Sequence, residues 1–226
     1  MIAKSEHLFY NKYIDKTRRG VVRMSVSEKY YELTNRNFVY NIMPLNNMDS
    51  VMENGLISYR KAARLPEHAS IAMDDVQAIR ERVNVHGRSL HDYASMYFSY
   101  RNPMMYKRRF QAESLCVLAI DSLVLDIEGC VVSDQNAASL TVRFYDADVG
   151  VEKIDFEKVF ADNWTHLNAY ETELHRKIKC AEVLVPDKVS YEYIAGACVL
   201  NNDSKRRLED IGFEKNIIVK PSTFFR

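Results

Sequence analysis

The chain has 226 residues, of which 47% are hydrophobic, with 31 Lys plus Arg balanced by 31 Asp plus Glu. That length suits one well-buried domain and is cramped for two, and a formal net charge of zero excludes a global positive field that gathers nucleic acid from a distance. Four cysteines without a C-x-x-C pair exclude zinc-ribbon spacing, and no apolar run approaches the roughly 18 residues of a membrane span, so the expectation is a cytoplasmic protein with reduced thiols, no metal centre and no membrane partner.

Residues 1–34 are expected to be an N-terminal extension packed on a single domain at 35–226. The extension holds scattered aromatics (Phe9, Tyr10, Tyr13) and then "SVSEKYYEL", a helix with serines placed to cap it. "NFVYNIM" (37–43) is β-branched and aromatic enough for a strand. Pro44 breaks it, and Met48, Val51 and Met52 share one face of a short helix that Gly55 ends. "GLIS" follows as a short strand. A long irregular passage then holds one helix, "DDVQAIRER", whose leading carboxylates suit a helix N-terminus.

Further strands are expected at 95–100, 114–120, 129–134, 181–186 and 193–200, and helices at 155–161, 169–179 and 204–211. A strand within "NIIVKPSTFF" closes the chain. Strands and helices do not alternate one for one, which argues against a doubly wound parallel sheet. The fold class expected is α+β, with a mixed and bent central sheet.

Neither G-x-G-x-x-G nor G-K-[ST] occurs, so any nucleotide is held by side chains and strand edges rather than by a phosphate loop. No Ser sits in a G-x-S-x-G elbow, and the six His have no local partner pattern. Glu182 begins an apolar strand in which Ala181, Val183 and Val185 share one face while Glu182 and Leu184 share the other. It is either a solvated edge residue, which blunts edge pairing, or a cleft carboxylate that stabilises a developing cation. Arg80 on "VQAIRER" is likewise either one more surface arginine or a functional charged residue of the cleft.

The stretch "HDYASMYFSYRNPMMY" (91–106) places five aromatic rings and three methionines around one arginine and one proline, and runs into Lys107, Arg108 and Arg109. Bases stack on rings and thioethers while Arg and Lys hold phosphate, so a surface for single-stranded nucleic acid explains the mixture. A buried strand end with methionine filler is the competing explanation.

In order along the chain, "YNIMPLNNMDSVMENGLIS", "SIAMDDVQAIRERVNV", "GRSLHDYASMYFSYRNPMMY" and "CAEVLVP" resemble the DarT family of bacterial DNA ADP-ribosyltransferase toxins. The resemblance implies an ADP-ribosyltransferase fold whose sheet is split around an NAD+-binding cleft. It also implies transfer of ADP-ribose from NAD+, as co-substrate, to a base in single-stranded DNA. By matching positions it makes Glu182 and Arg80 catalytic and puts Asn41, Ile42, Met43, Ser50 and Ser58 against NAD+. It assigns Tyr100, Arg101, Asn102, Met104 and Arg176 to DNA, the first four of them on a loop that the proline exposes. The implied partner is an antitoxin that removes ADP-ribose, a macrodomain protein or an analogous glycohydrolase.

Two family histidines are replaced here, by Asn41 and Asn136, and with them gone guanine is favoured over thymine as the target base. Competing readings are a transferase acting on RNA or protein, and a non-catalytic single-stranded nucleic-acid-binding module.

Overall fold

A computed structural model describes residues 24–66 and 73–225. The aromatics Phe9, Tyr10 and Tyr13 lie outside them. Eight strands form the main sheet: β1 (Phe38–Pro44), β2 (Tyr93–Tyr97), β3 (Leu115–Asp121), β4 (Val131–Ser133), β5 (Phe144–Asp146), β6 (Glu182–Pro186), β7 (Ile194–Val199) and β8 (Asn216–Val219). Their order is β8-β7-β3-β1-β2-β6-β4-β5, with one parallel pair, β7 and β8, in an otherwise antiparallel sheet. The sheet is mixed, as expected for an α+β chain.

Alternation along each strand decides what it buries. On β3, Cys116, Leu118 and Ile120 enter the main core, whereas Leu115 and Val117 enter a second cluster with Ile42, Met105 and Phe224. On β6, Val183 and Val185 enter the main core and Leu184 joins Tyr93 and Val131 on the other side. That is the face division expected for Glu182 and its neighbours.

Pairing within the sheet is uneven. β1 pairs with β3 at seven positions and β2 with β6 at five, but β1 and β2 meet at only one, Tyr40 opposite Tyr97. The sheet is thereby hinged into two four-stranded halves that splay apart beyond that contact. A side-chain hydrogen bond, from Asn41 Nδ2 to Ser95 O at 2.9 Å, spans the divergence. This is the split implied by the resemblance, achieved without breaking the sheet in two.

Among the described residues, the α-helices of five or more residues are α1 (Val26–Thr34), α2 (Met48–Asn54), α3 (Asp74–Arg82), α4 (Pro103–Lys107), α5 (Phe156–Phe160), α6 (Ala169–Ile178) and α7 (Asn202–Asp210). Ser25 caps α1 in a capping box with Glu28, and Tyr30 of that helix is fully buried against Phe98 and Phe156. Gly55 ends α2 at φ 76°, and a Cβ there would meet Val189 O at 2.2 Å, so only glycine fits.

Two sequence expectations need correction. The strand expected at 95–100 is shifted to 93–97, because after Tyr97 the chain turns and Phe98 N donates to Ala181 O. "NPMMY", expected as part of an exposed loop, is helix α4. Asn102 caps it by accepting from Met105 N at 3.0 Å, and Pro103 occupies the first turn, where its missing N–H costs nothing.

Candidate active site

A cavity of about 400 Å³ opens at the hinge in the sheet. β1 contributes Asn41, Ile42 and Met43, β2 contributes Ser95 and Tyr97, α2 contributes Ser50 and α3 contributes Gln77 and Arg80. α4 brings Met104 and Lys107, α6 brings Arg176, and Glu182 stands at the start of β6. Residues from seven elements therefore converge where the two half-sheets part.

Glu182 is 1% exposed and Arg80 9%. Arg80 Nη1 donates to both Glu182 oxygens at 3.1 Å, and Nη2 donates to Ser95 Oγ at 2.7 Å. Glu182 Oε1 also accepts from Ala137 N at 2.8 Å, and Glu182 N donates to Ser133 Oγ at 3.2 Å. β6 runs between β2 and β4, so Glu182 is an interior residue and the solvated-edge reading falls. A charge in this position is tolerated only because it is paired and hydrogen-bonded.

The pair acts on its neighbours. Tyr97, directly opposite Glu182 in the ladder, has its phenol held well above the ordinary value, first by burial and then by the Glu182 charge. Cys180 is pushed up to about 12 by burial, with Glu182 adding to it. His91 is pushed down by burial and then by Arg80. Its ring packs 4.3 Å from Tyr59 and bonds Gln77 Oε1 at 3.1 Å, behind the cleft wall. Among the described residues lining the cavity, Glu182 is the only carboxylate, and there is no histidine.

Of the residues that the sequence singles out, Arg80, Glu182, Asn41, Ile42, Met43, Ser50, Met104 and Arg176 all reach the cavity wall. Ser58 lies just behind it, 1% exposed, and its Oγ has no hydrogen-bond partner among the described residues. Tyr100 packs edge-on to Tyr40 at 4.8 Å, and Arg101 donates to Ser222 O, so both sit outside the wall. Asn102 is 0% exposed with its amide committed to Ser99 O and Met105 N. It is a helix cap, not a contact surface.

Ser95, Tyr97 and the Ala137 amide are site groups that the sequence does not single out. Ser95 and Tyr97 lie two apart on a strand within "HDYASMYF" and therefore on one face, which was the available sign. The Ala137 amide carries none.

A family model described as "ssDNA thymidine ADP-ribosyltransferase, DarT" matches residues 40–225. The chain belongs to the DarT family. It is 28% identical over 193 residues to a DNA ADP-ribosyl transferase-DNA ADP-ribosyl glycohydrolase fusion protein of Thermosipho africanus, covering 83% of this chain and 49% of that one. The chain thus spans about half the length of that DarT relative. A DNA ADP-ribosyl transferase of Thermus aquaticus is 27% identical over 187 residues, covering 76% of this chain and 79% of its own.

Among solved structures, Thermus sp. 2.9 DarT in complex with ADP-ribosylated ssDNA superposes with a TM-score of 0.74 at 21% identity, over 84% of this chain and 97% of that one. The same protein in complex with NAD+ gives 0.69 at 20% identity, over 84% and 98%. At those identities the likeness establishes the DarT fold.

Proposed function

We propose that this chain transfers ADP-ribose from NAD+ to a base of single-stranded DNA. The observation that carries the reading is the buried Glu182–Arg80 pair at the floor of a cleft lined by β1, α2 and α4. Relatives named as DNA ADP-ribosyl transferases, and Thermus DarT structures with NAD+ and with ADP-ribosylated ssDNA, support it.

The chemistry asks for this arrangement. Nicotinamide leaves with the electrons of its bond to the ribose, positive charge builds on the sugar as in glycoside cleavage, and a nearby carboxylate lowers the barrier. Glu182 is that carboxylate. Arg80 stays protonated in proteins and cannot serve as a general base; its guanidinium bridges Glu182 and Ser95 and positions the base against the reacting carbon. The base attacks the anomeric carbon, forms the new glycosidic bond and loses a proton.

Asn41, Ile42, Met43 and Ser50 are the groups on the wall for NAD+. The buried, unpartnered Ser58 hydroxyl beside wall residues Ile57 and Tyr59 suits a ligand rich in hydroxyl and phosphate oxygens. Met104 and Arg176 face the DNA side of the same cavity, and Tyr100 and Arg101 flank it.

The base is where this reading departs from the family's description, which names thymidine. Thymine must lose a ring imide proton to become a good nucleophile, and among the described residues that line the cavity there is no imidazole to take it. Asn41 gives its amide to Ser95 O, and Asn136 Oδ1 accepts from Ala138 N. The guanine amino group attacks neutral and sheds its proton afterwards, so guanine is favoured.

Such modification blocks copying of the strand, which makes the activity toxic to its own cell and requires a partner that removes ADP-ribose. The Thermosipho relative, whose name joins a transferase to a glycohydrolase, supports that pairing. The test is incubation of the protein with labelled NAD+ and, separately, single-stranded DNA, RNA or protein, followed by oligonucleotides carrying guanine or thymine as the sole modifiable base. Label on DNA and on the guanine strand is expected. Label confined to RNA or protein overturns the substrate, and label on a thymine-only strand overturns the base.

A further inference from the structure

Between Asp92 and Glu113 the chain carries Arg101, Lys107, Arg108 and Arg109 and no carboxylate. The described hydrogen-bond partners of three of these are neutral: Arg101 donates to Ser222 O at 2.7 Å, Lys107 to the Met73 sulfur at 3.2 Å and Arg109 to Tyr106 O at 2.9 Å. Positive charge therefore gathers along this segment of a chain whose total charge is zero.

Aromatic rings are interleaved with it. The Arg109 guanidinium lies 4.3 Å from the ring centroids of both Tyr106 and Phe110, and that of Arg101 lies 4.4 Å from Phe225. Tyr106, Trp164 and Phe225 come from three distant parts of the chain and meet edge to face, with centroids 5.4 to 6.2 Å apart. Phe110 is 85% exposed; it adds little to any core, and the ring face turned away from Arg109 is open to a planar partner.

The patch is continuous with the cleft, because Met104, Lys107 and Arg108 of the same segment line the cavity. A strand with its target base near Glu182 has to pass this segment where it leaves. We infer that α4 and the turn after it, together with Trp164 and Phe225, form a track for the nucleotides that flank the target base. Phe110 and the Tyr106–Trp164–Phe225 cluster stack bases, and Arg101, Lys107 and Arg109 hold phosphates.

A single strand is the occupant that uses both components, since stacking rings and phosphate-binding cations alternate along it. An apolar helix of a partner protein would strip water from guanidinium groups without neutralising them. An acidic peptide would satisfy the cations and leave the rings without partners. The inference rests on the proposed transfer to single-stranded DNA and extends it beyond the reacting base.

The test is fluorescence anisotropy of the full chain with labelled random-sequence DNA single strands of about 20 nucleotides and about 5 nucleotides, the longer exceeding one typical binding site. Phe110→Ala and Arg109→Gln are each expected to weaken binding of the longer strand about tenfold, the scale of one lost stacking or phosphate contact. Arg109→Gln should also lower the slope of log affinity against log salt by about 0.7. Binding of the short strand, melting temperature and DNA-independent NAD+ hydrolysis should be unchanged.

Equal affinity of wild type and both variants for the longer strand overturns the track, as does equal loss on the short one. Better competition by RNA of the same length, or by a polyglutamate peptide, overturns DNA as the occupant. A wild type that labels no single strand when given NAD+ removes instead the transferase reading beneath it, which the binding data alone do not touch.

Discussion

At the scale of single residues, the Glu182–Arg80 pair has two functions that substitutions separate. Glu182→Ala leaves a guanidinium 9% exposed and unpaired, a change that costs about 3–5 kcal/mol of stability when a buried pair is broken from one side. Glu182→Gln keeps an acceptor for Ala137 N and Arg80 and removes only the charge. It is expected to retain most of its stability and lose about 10²–10³ in transfer rate, read by labelled NAD+ turnover beside a melting curve; full activity with an unchanged melt would show that the carboxylate charge is not used. Arg80→Lys tests the other partner. One ammonium cannot reach both Glu182 and Ser95 as the planar guanidinium does, so transfer should fall strongly while NAD+ affinity by calorimetry changes little. Equal loss of both would make Arg80 an anchor for NAD+ instead.

At the scale of elements, α4 and the segment leading into α6 depend on buried polar groups that local pattern only partly foretells. Lys179 is 1% exposed, donates from Nζ to Val159 O at 2.8 Å and Ala161 O at 2.7 Å, and burial lowers its pKa to about 8. Its folded value lies below the unfolded one of about 10.4, so the cost of the buried charge is fully present below pH 8 and is relieved as pH rises towards 10.4. A neutral amine still supplies the two N–H donors that the carbonyls require. Relative to Lys179→Met, the wild type should therefore gain stability between pH 8 and 10, on the order of 2–3 kcal/mol, in paired denaturant melts; a flat or falling difference would show that the ammonium is already well solvated. Nothing in the sequence around Lys179 marks it as buried, because its partners are carbonyls at the end of α5, about 20 residues back. The helix α4 was legible, since Asn-Pro is a cap followed by a first-turn proline, yet the rings and cations around it read more readily as an exposed loop. Most strands of the main sheet follow from β-branched runs, and Glu182's face from alternation. That Glu182 meets Arg80 across 102 positions is a tertiary fact with no local trace, and it entered the sequence reading only through the resemblance.

For the whole molecule, the controlling feature is the hinge between two half-sheets that share one ladder position, Tyr40 with Tyr97, and are tied by a side-chain bridge from Asn41 to Ser95. A sheet that splays there exposes backbone and side-chain groups of β1 and β2 to the cleft, and a ligand seated between them binds the folded state alone. Linkage then requires NAD+ to stabilise the fold, by about 2.7 kcal/mol at a hundred times its Kd. For a chain of this size that is a rise of roughly 5–10 °C in Tm. The Glu182→Gln protein is the one to use, because it should hold NAD+ without consuming it. Hydrogen exchange locates the effect: protection should rise in 38–44 and 93–97, on either side of the hinge, and stay unchanged in 216–219 at the far edge of the sheet. Asn41→Ala removes the bridge, so it should lower the Tm of the free protein modestly and leave a larger share of the hinge's order to be supplied by NAD+. A uniform slowing of exchange over all eight strands would show that the sheet responds as one rigid body. The opening between β1 and β2 would then be a fixed shape into which NAD+ fits, with no hinge for the ligand to close.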